Sequence, residues 1–332
     1  MTLSPAFLVV PAVDDDLAAT LAMRVRAIAL RRLLVGPLPA TPASAIVARH
    51  RRALVAARHQ AVGRAELDAL AADLDVQACA LALDAGVDHA AAAAATLAAR
   101  LDRGAPFDDA LPVTPTLPGL GLATVDRNPL ATLEAHPDKT GNALDLGGRS
   151  VAAWTAALTI ALDAIAAALP ALHAELAVTL RRIVPVGFDA ERHLSCSYRE
   201  APGLIYLSLH PDPLTLAEAI VHETQHGKLN LLSWLDPLVT NPASQTVASP
   251  ARPDPRPLLG VLLAAHAFVA VEALHAALAE LGHPLARGAT ARRRQVRAAN
   301  REALDTLAQY ARPTATGARV VAALEDVYRA LG

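Results

Sequence analysis

The chain has 332 residues, of which 53% are hydrophobic but only 3% aromatic, and 30 basic residues face 32 acidic ones for a net charge of −2. That length supports a large core without disulfide staples. The charge balance argues against nucleic acid as a partner, because such binders carry a basic surplus. Much of the apolar share is alanine, as in the run Ala90 to Ala95, and alanine favours helix while burying little area. The richest apolar stretches, 151–162 and 258–271, fall short of the roughly 20 residues that span a bilayer, so no membrane partner is expected. Cys79 and Cys196 cannot build a disulfide framework, and the N-terminus lacks a basic leader stretch, so a cytoplasmic protein is expected.

Residues 1–103 read as an Ala-rich helical region. Leu17, Leu21, Val25, Ile28 and Leu33 recur at helical spacing over 14–35 and stop at Gly36 and Pro37. Helices are predicted over 42–62, 64–84 and 88–103. The basic face Arg49, Arg51, Arg52, Arg58 reads as solvated surface. Between 104 and 150 periodicity fails among prolines and glycines such as Pro106, Pro112, Gly119, Gly121, Pro137 and Gly141, which marks a long loop or a boundary between lobes. Helix returns over 151–182, broken at Pro170. Residues 151–332 form the remaining unit, expected to be integrated with the N-terminal helices.

At Ile183 the alphabet changes. Residues 183–186, 193–198 and 204–209 are short and β-rich, with Pro202 and Gly203 as a turn signal. In the second, His193, Ser195 and Ser197 share one face. The expected fold is mainly α: a multi-helix bundle with a small antiparallel β-sheet beside a helix opened by Pro213.

That helix carries His222, Glu223, Thr224, Gln225 and His226. Histidines at i and i+4 share a helical face, the spacing one metal ion needs, and Glu223 stands beside the first of them. A catalytic metal needs a third ligand. Two peptidase layouts fail: Leu229 and Leu232 occupy the places of the Gly and His of one, and the next Glu after Glu223 is Glu272, too distant for the other. Asp236 and Asp254 lack supporting context. The best third ligand is His266, alone in the apolar helix 258–281, with Glu272, His275 and His210 as alternatives. Before that helix, Arg252 and Arg256 stand in a loop that its prolines hold extended, where an arginine can clamp a carboxylate beside the metal.

The motif His222–His226, the run Arg252, Pro253, Asp254, Pro255, Arg256, Pro257, Leu258 and the helix with His266 and Phe268 resemble the HExxH-type peptide β-hydroxylases of ribosomal peptide biosynthesis. The likeness is best over 195–281. It implies Fe(II) held by His222, His226 and a downstream His, with 2-oxoglutarate held by Arg252 or Arg256. It also implies a ribosomally made precursor peptide as substrate, hydroxylated at a side-chain β-carbon. Relatives carry a His at the place of Leu263 and an aromatic at that of His266, one turn apart on one face. On this reading Glu223 orients a ligand or co-substrate instead of activating water, and Ser195, Ser197, Tyr198, Tyr206 and Ser208 line the pocket. The rival is a zinc metallopeptidase with Glu223 as its water-activating base. A helical binding module is the third reading.

Overall fold

A computed structural model describes residues 16–133, 142–249, 252–287 and 289–332. Expectations for residues 1–15, and for Pro137 and Gly141, fall outside the described residues. The chain is mainly helical, as the periodicity predicts. Five helices come first: α1 (Asp16–Val35), α2 (Pro42–Ala57), α3 (Ala61–Ala72), α4 (Leu74–Ala82) and α5 (Val87–Arg103). The stretch 64–84 is two helices instead of one, because Asp73 leaves helical geometry and its carboxylate caps the N–H groups of Asp75 and Val76. α5 ends at Gly104, whose φ of 71° is the left-handed geometry that glycine tolerates best. Arg51 is not simply solvated. Its guanidinium donates to the carbonyls of Arg32, Leu33 and Gly36, closing the orphaned end of α1.

The irregular stretch after α5 contributes two short strands, β1 (Ala110–Pro112) and β2 (Gly121–Ala123), and a single turn, α6 (Pro129–Leu133). Then come α7 (Val151–Ala168), capped by Ser150, and α8 (Pro170–Thr179), opened by its proline. Strands β3 (Arg182–Phe188), β4 (Ser195–Ser197) and β5 (Leu204–Leu209) follow. The sheet order is β1-β2-β3-β5-β4. β4 pairs antiparallel with β5 as expected, whereas β2, β3 and β5 run parallel, so this sheet is mixed. Parallel pairing needs crossovers. The segments between β2 and β3 and between β3 and β5 supply them, and short-range turn signals do not announce them.

α9 (Pro213–Ser233) starts on Pro213 with Asp212 accepting from the N–H of Leu214. The proline-rich segment is extended as expected, but as a strand: β7 (Arg252–Pro257) pairs antiparallel with β6 (Thr246–Ser249). α10 (Leu258–Glu280), α11 (Ala289–Tyr310) and α12 (Ala315–Ala330) complete the chain.

Three groups of buried residues define the interior. One joins the N-terminal helices to the ends of α9 and α10 and to α11 and α12 through Leu33, Leu97, Leu229, Leu262 and Leu324. A second lies between α7, α8, one face of the sheet, α9 and α10, around Trp154, Leu162, Ile205, Leu207 and Ile220. A third covers the other sheet face with Tyr206, Val184 and Ala78. α9 is shared by the first two, so the HExxH motif lies where they meet. By length and composition α7 and α10 are each apolar enough to cross a membrane, contrary to the count made from the sequence. In α10 that apolarity serves the fold, since 78% of its most apolar window is buried.

Candidate metal-binding site

His222 and His226 come together as their spacing predicts, with ring centroids 4.4 Å apart in a T-shaped arrangement. Burial holds both imidazoles below the usual histidine range, and for His222 the neighbouring His226 adds to it. Both are therefore neutral at pH 7, the form that offers a lone pair to a metal. The Nδ1 of His226 is buried and has no hydrogen-bond partner among the described residues.

Glu223 is held from the sheet. Ser195 donates its hydroxyl to Oε1 at 2.7 Å and Ser197 donates to Oε2 at 2.8 Å. Their alternation on β4 aims both at α9, opposite the register partners Leu207 and Ile205 that pack against the same helix. Glu223 is only 3% exposed, so these two hydroxyls are what make its burial tolerable. We predict that Ser197→Ala lowers stability by about 1–2 kcal/mol and weakens metal affinity by about 10-fold or more, as loss of an orienting partner does. Denaturant unfolding and competitive metal titration read the two effects separately.

His193 belongs to the same neighbourhood. Its ring meets that of His210 at 6.4 Å, and its Nε2 is buried without a hydrogen-bond partner among the described residues. Burial, with His210 close by, pushes its pKa down to about 4. It lies two residues before β4; the sequence pattern groups it with Ser195 and Ser197 but assigns it no role.

Of the other proposed ligands, His210 stands beside His193, whereas those on α10 are directed elsewhere. α10 packs its Phe268 against His222, with ring centroids 4.6 Å apart, and its His275 donates from Nε2 to the carboxylate of Glu218 of α9 at 2.7 Å. Residues two apart on a helix project about 200° apart, so the face bearing Phe268 and His275 turns His266 away from α9. His266 is 0% exposed within the fold. Glu272 faces α11 instead, accepting from Arg297 at 2.5 Å and from Asn300 at 2.9 Å. Among the described residues, no three His, Cys, Asp or Glu side chains gather closely enough to hold a metal ion.

Tyr206 is likewise on the other sheet face, 0% exposed, with its hydroxyl donating to Asp126 and accepting from Asn128. The period of two separates Tyr206 from Leu207 but does not say which face meets α9. Asp126 is chiefly burial-shifted, its pKa raised from 3.8 to about 6, with Asp75 adding to the rise. Between those values the folded state holds a proton that the unfolded state has lost. Stability should therefore fall as pH rises through that window. We predict that Asp126→Asn removes the fall and is more stable than the parent by about 2 kcal/mol at pH 8, with little difference at pH 4, as read by urea unfolding.

Arg256 lines a cavity of about 610 Å³ at the C-terminal end of α9, together with Arg199, Trp234, Asp236, Asn241 and Leu263. It pairs with Asp254 at 2.9 Å, yet its Nε is buried with no hydrogen-bond partner among the described residues. The side chain of Arg252 lies outside the described residues. Arg199 stacks on Trp234 at 4.1 Å and donates to Ser233. Asp236 and Asn241 are held in turn from the C-terminal end of the chain: Thr314 donates to Asp236, and Asn241 bonds the backbone of Tyr310 and Arg312. Neither His222 nor His226 lines this cavity, which begins a full two turns further along α9.

Against a divalent metal, the residues fit in two ligands, the neutral imidazoles, and the described residues set no third donor beside them. Against a dicarboxylate, the fit is the unmet Nε of Arg256 in an open cavity. Compared with protein-family models and with curated proteins, the chain matches none.

Proposed function

We propose that this chain is an iron- and 2-oxoglutarate-dependent oxygenase that hydroxylates the β-carbon of a residue in a ribosomally made peptide. The observation that carries the proposal is the clamp on Glu223. In a zinc peptidase the motif glutamate must be open to take a proton from water. Here both carboxylate oxygens already accept serine hydroxyls, and that favours an orienting role over a basic one. The substrate and the carbon attacked follow from the resemblance carried by the Arg252–Leu258 run.

Iron with 2-oxoglutarate, when bound, supplies the oxidising power to hydroxylate an unactivated carbon. His222 and His226 would hold the metal. Glu223, fixed between Ser195 and Ser197, keeps the start of the motif in register with the sheet. Arg256 would offer its Nε, which has no partner among the described residues, to a co-substrate carboxylate, a charge-assisted bond. Phe268 covers one side of His222 and excludes water from it.

The test is anaerobic titration of the purified protein with Fe(II) and then 2-oxoglutarate, followed by visible absorption. A metal-to-ligand charge-transfer band is expected, weakened in Arg256→Gln. If no band forms, and zinc alone supports peptide cleavage that Glu223→Gln abolishes, the proposal is wrong and the peptidase reading takes its place.

A further inference from the structure

Away from the histidines, a small pocket opens between α1, α4 and the junction of α8 with β3. Arg26, Gln77 and Arg181 line it, with Leu74, Thr179 and Gly203. Gln77 is only 3% exposed, and its Nε2 has no hydrogen-bond partner among the described residues. A buried amide N–H left unpaired is costly, so it marks a place where an acceptor belongs. Arg26 and Arg181 are half-buried and close enough that Arg181, after burial, holds the Arg26 pKa below its usual value.

Like charges brought together at a half-buried place need compensation. The nearby carboxylates do not provide it. Asp73 is taken by Arg100 at 2.5 Å, and Asp75 by Arg182 at 3.0 Å. Both carboxylates are thus already paired, and neither Arg26 nor Arg181 has an ion-pair partner among the described residues. Its free space is about 20 Å³, room for one water-sized group. One oxygen of a carboxylate or phosphate fits there, with the remainder of the group outside against the guanidiniums. Arg26 also lines a groove of about 630 Å³, with Leu30 and Leu67 on its apolar side, Arg58 as a further basic group, and Arg64 paired there with Asp68 at 3.5 Å.

We infer that Arg26, Arg181 and Gln77 form an oxyanion-binding site, separate from the histidine pair. The ligand is an oxyanion, supplied either by a free anion or by a carboxylate of an acidic peptide lying in the adjoining groove. Two guanidiniums and an amide offer N–H donors from α1, α4 and the α8–β3 junction, so the site closes only in the folded chain.

Thermal unfolding of the full chain tests this at constant ionic strength. One arm uses inorganic phosphate as the probe. The other uses a soluble peptide of alternating Glu and Leu, with its Gln-for-Glu counterpart as control. A saturable rise of about 3 °C or more is expected from at least one arm. Phosphate alone acting would identify a free anion, and the acidic peptide acting without its Gln counterpart would identify a peptide carboxylate. The rise should be lost in Arg26→Gln and Arg181→Gln and kept in Arg294→Gln, an exposed arginine of α11. Without ligand, Arg26→Gln should unfold no earlier than the parent, because it relieves the repulsion. A purely structural arginine would lower the midpoint instead. If neither arginine variant folds by circular dichroism, Gln77→Leu carries the test in their place. No saturable rise in either arm, or a rise that survives these substitutions, overturns the inference.

Discussion

Replacing His222 or His226 by alanine is expected to empty the metal site while leaving the fold standing. Each imidazole is one of only two ligands gathered at this place, so neither has a substitute among the described residues. Metal analysis after anaerobic loading should fall from about one iron per chain to near zero in either variant, and the charge-transfer band should vanish with it. Stability should change little, because both rings are neutral and removing one leaves no unpaired charge behind. His266→Ala separates the reading of the sequence from that of the structure. The structure turns His266 away from α9, so iron content should survive its replacement, whereas a ligand role requires that it fall. Full retention of iron in His222→Ala would remove the metal site from the histidine pair altogether.

The largest stability effect is expected two residues beyond the motif. Lys228 of α9 and Glu175 of α8 form an ion pair at 3.1 Å with side chains only 4% and 3% exposed. Burial pulls the Lys228 ammonium below its usual range, and Glu175 opposes that pull. Glu175→Gln removes the opposing charge and leaves the ammonium buried, at a cost of about 3–5 kcal/mol. The loss should be greatest near pH 7 and should shrink as pH rises toward 10. In that range the folded state sheds a proton from Lys228 that the unfolded chain still holds, so stability rises with pH. Replacing both partners with Glu175→Leu and Lys228→Met should recover most of the loss, since two apolar groups need no partner. Urea unfolding of the three variants at pH 7 and pH 10 checks it. A Glu175→Gln variant as stable as the parent at pH 7 would mean that the pair carries no such energy.

The histidine pair, the proline start of α9 and the extended Arg252–Pro257 segment were legible because each depends on local geometry: a helical turn, a fixed φ, a missing donor. The hydroxyls of Ser195 and Ser197 were legible in part, because strand alternation puts them on one face. What α10 presents to α9 was not. An almost uniformly apolar helix has no face marked in its sequence, and its rotation is set by Phe268 and His275 meeting His222 and Glu218. Tyr206 failed for a related reason, since a strand buried on both sides gives no clue to which side holds the site. β2 lay hidden among prolines and glycines because its place is fixed by parallel pairing with β3, about 60 residues away in sequence.

The wall of the Arg256 cavity depends on the last stretch of the chain. Thr314, Tyr310 and Arg312 hold the segment that carries Asp236 and Asn241, and at Gly317 of α12 any Cβ would overlap the carbonyl of Leu238. Occupancy of the cavity and docking of α12 therefore share one free energy. A ligand seated against Arg256 would slow the fraying of the C-terminus, and a protease that clips the chain after Tyr310 would act on the cavity from a distance.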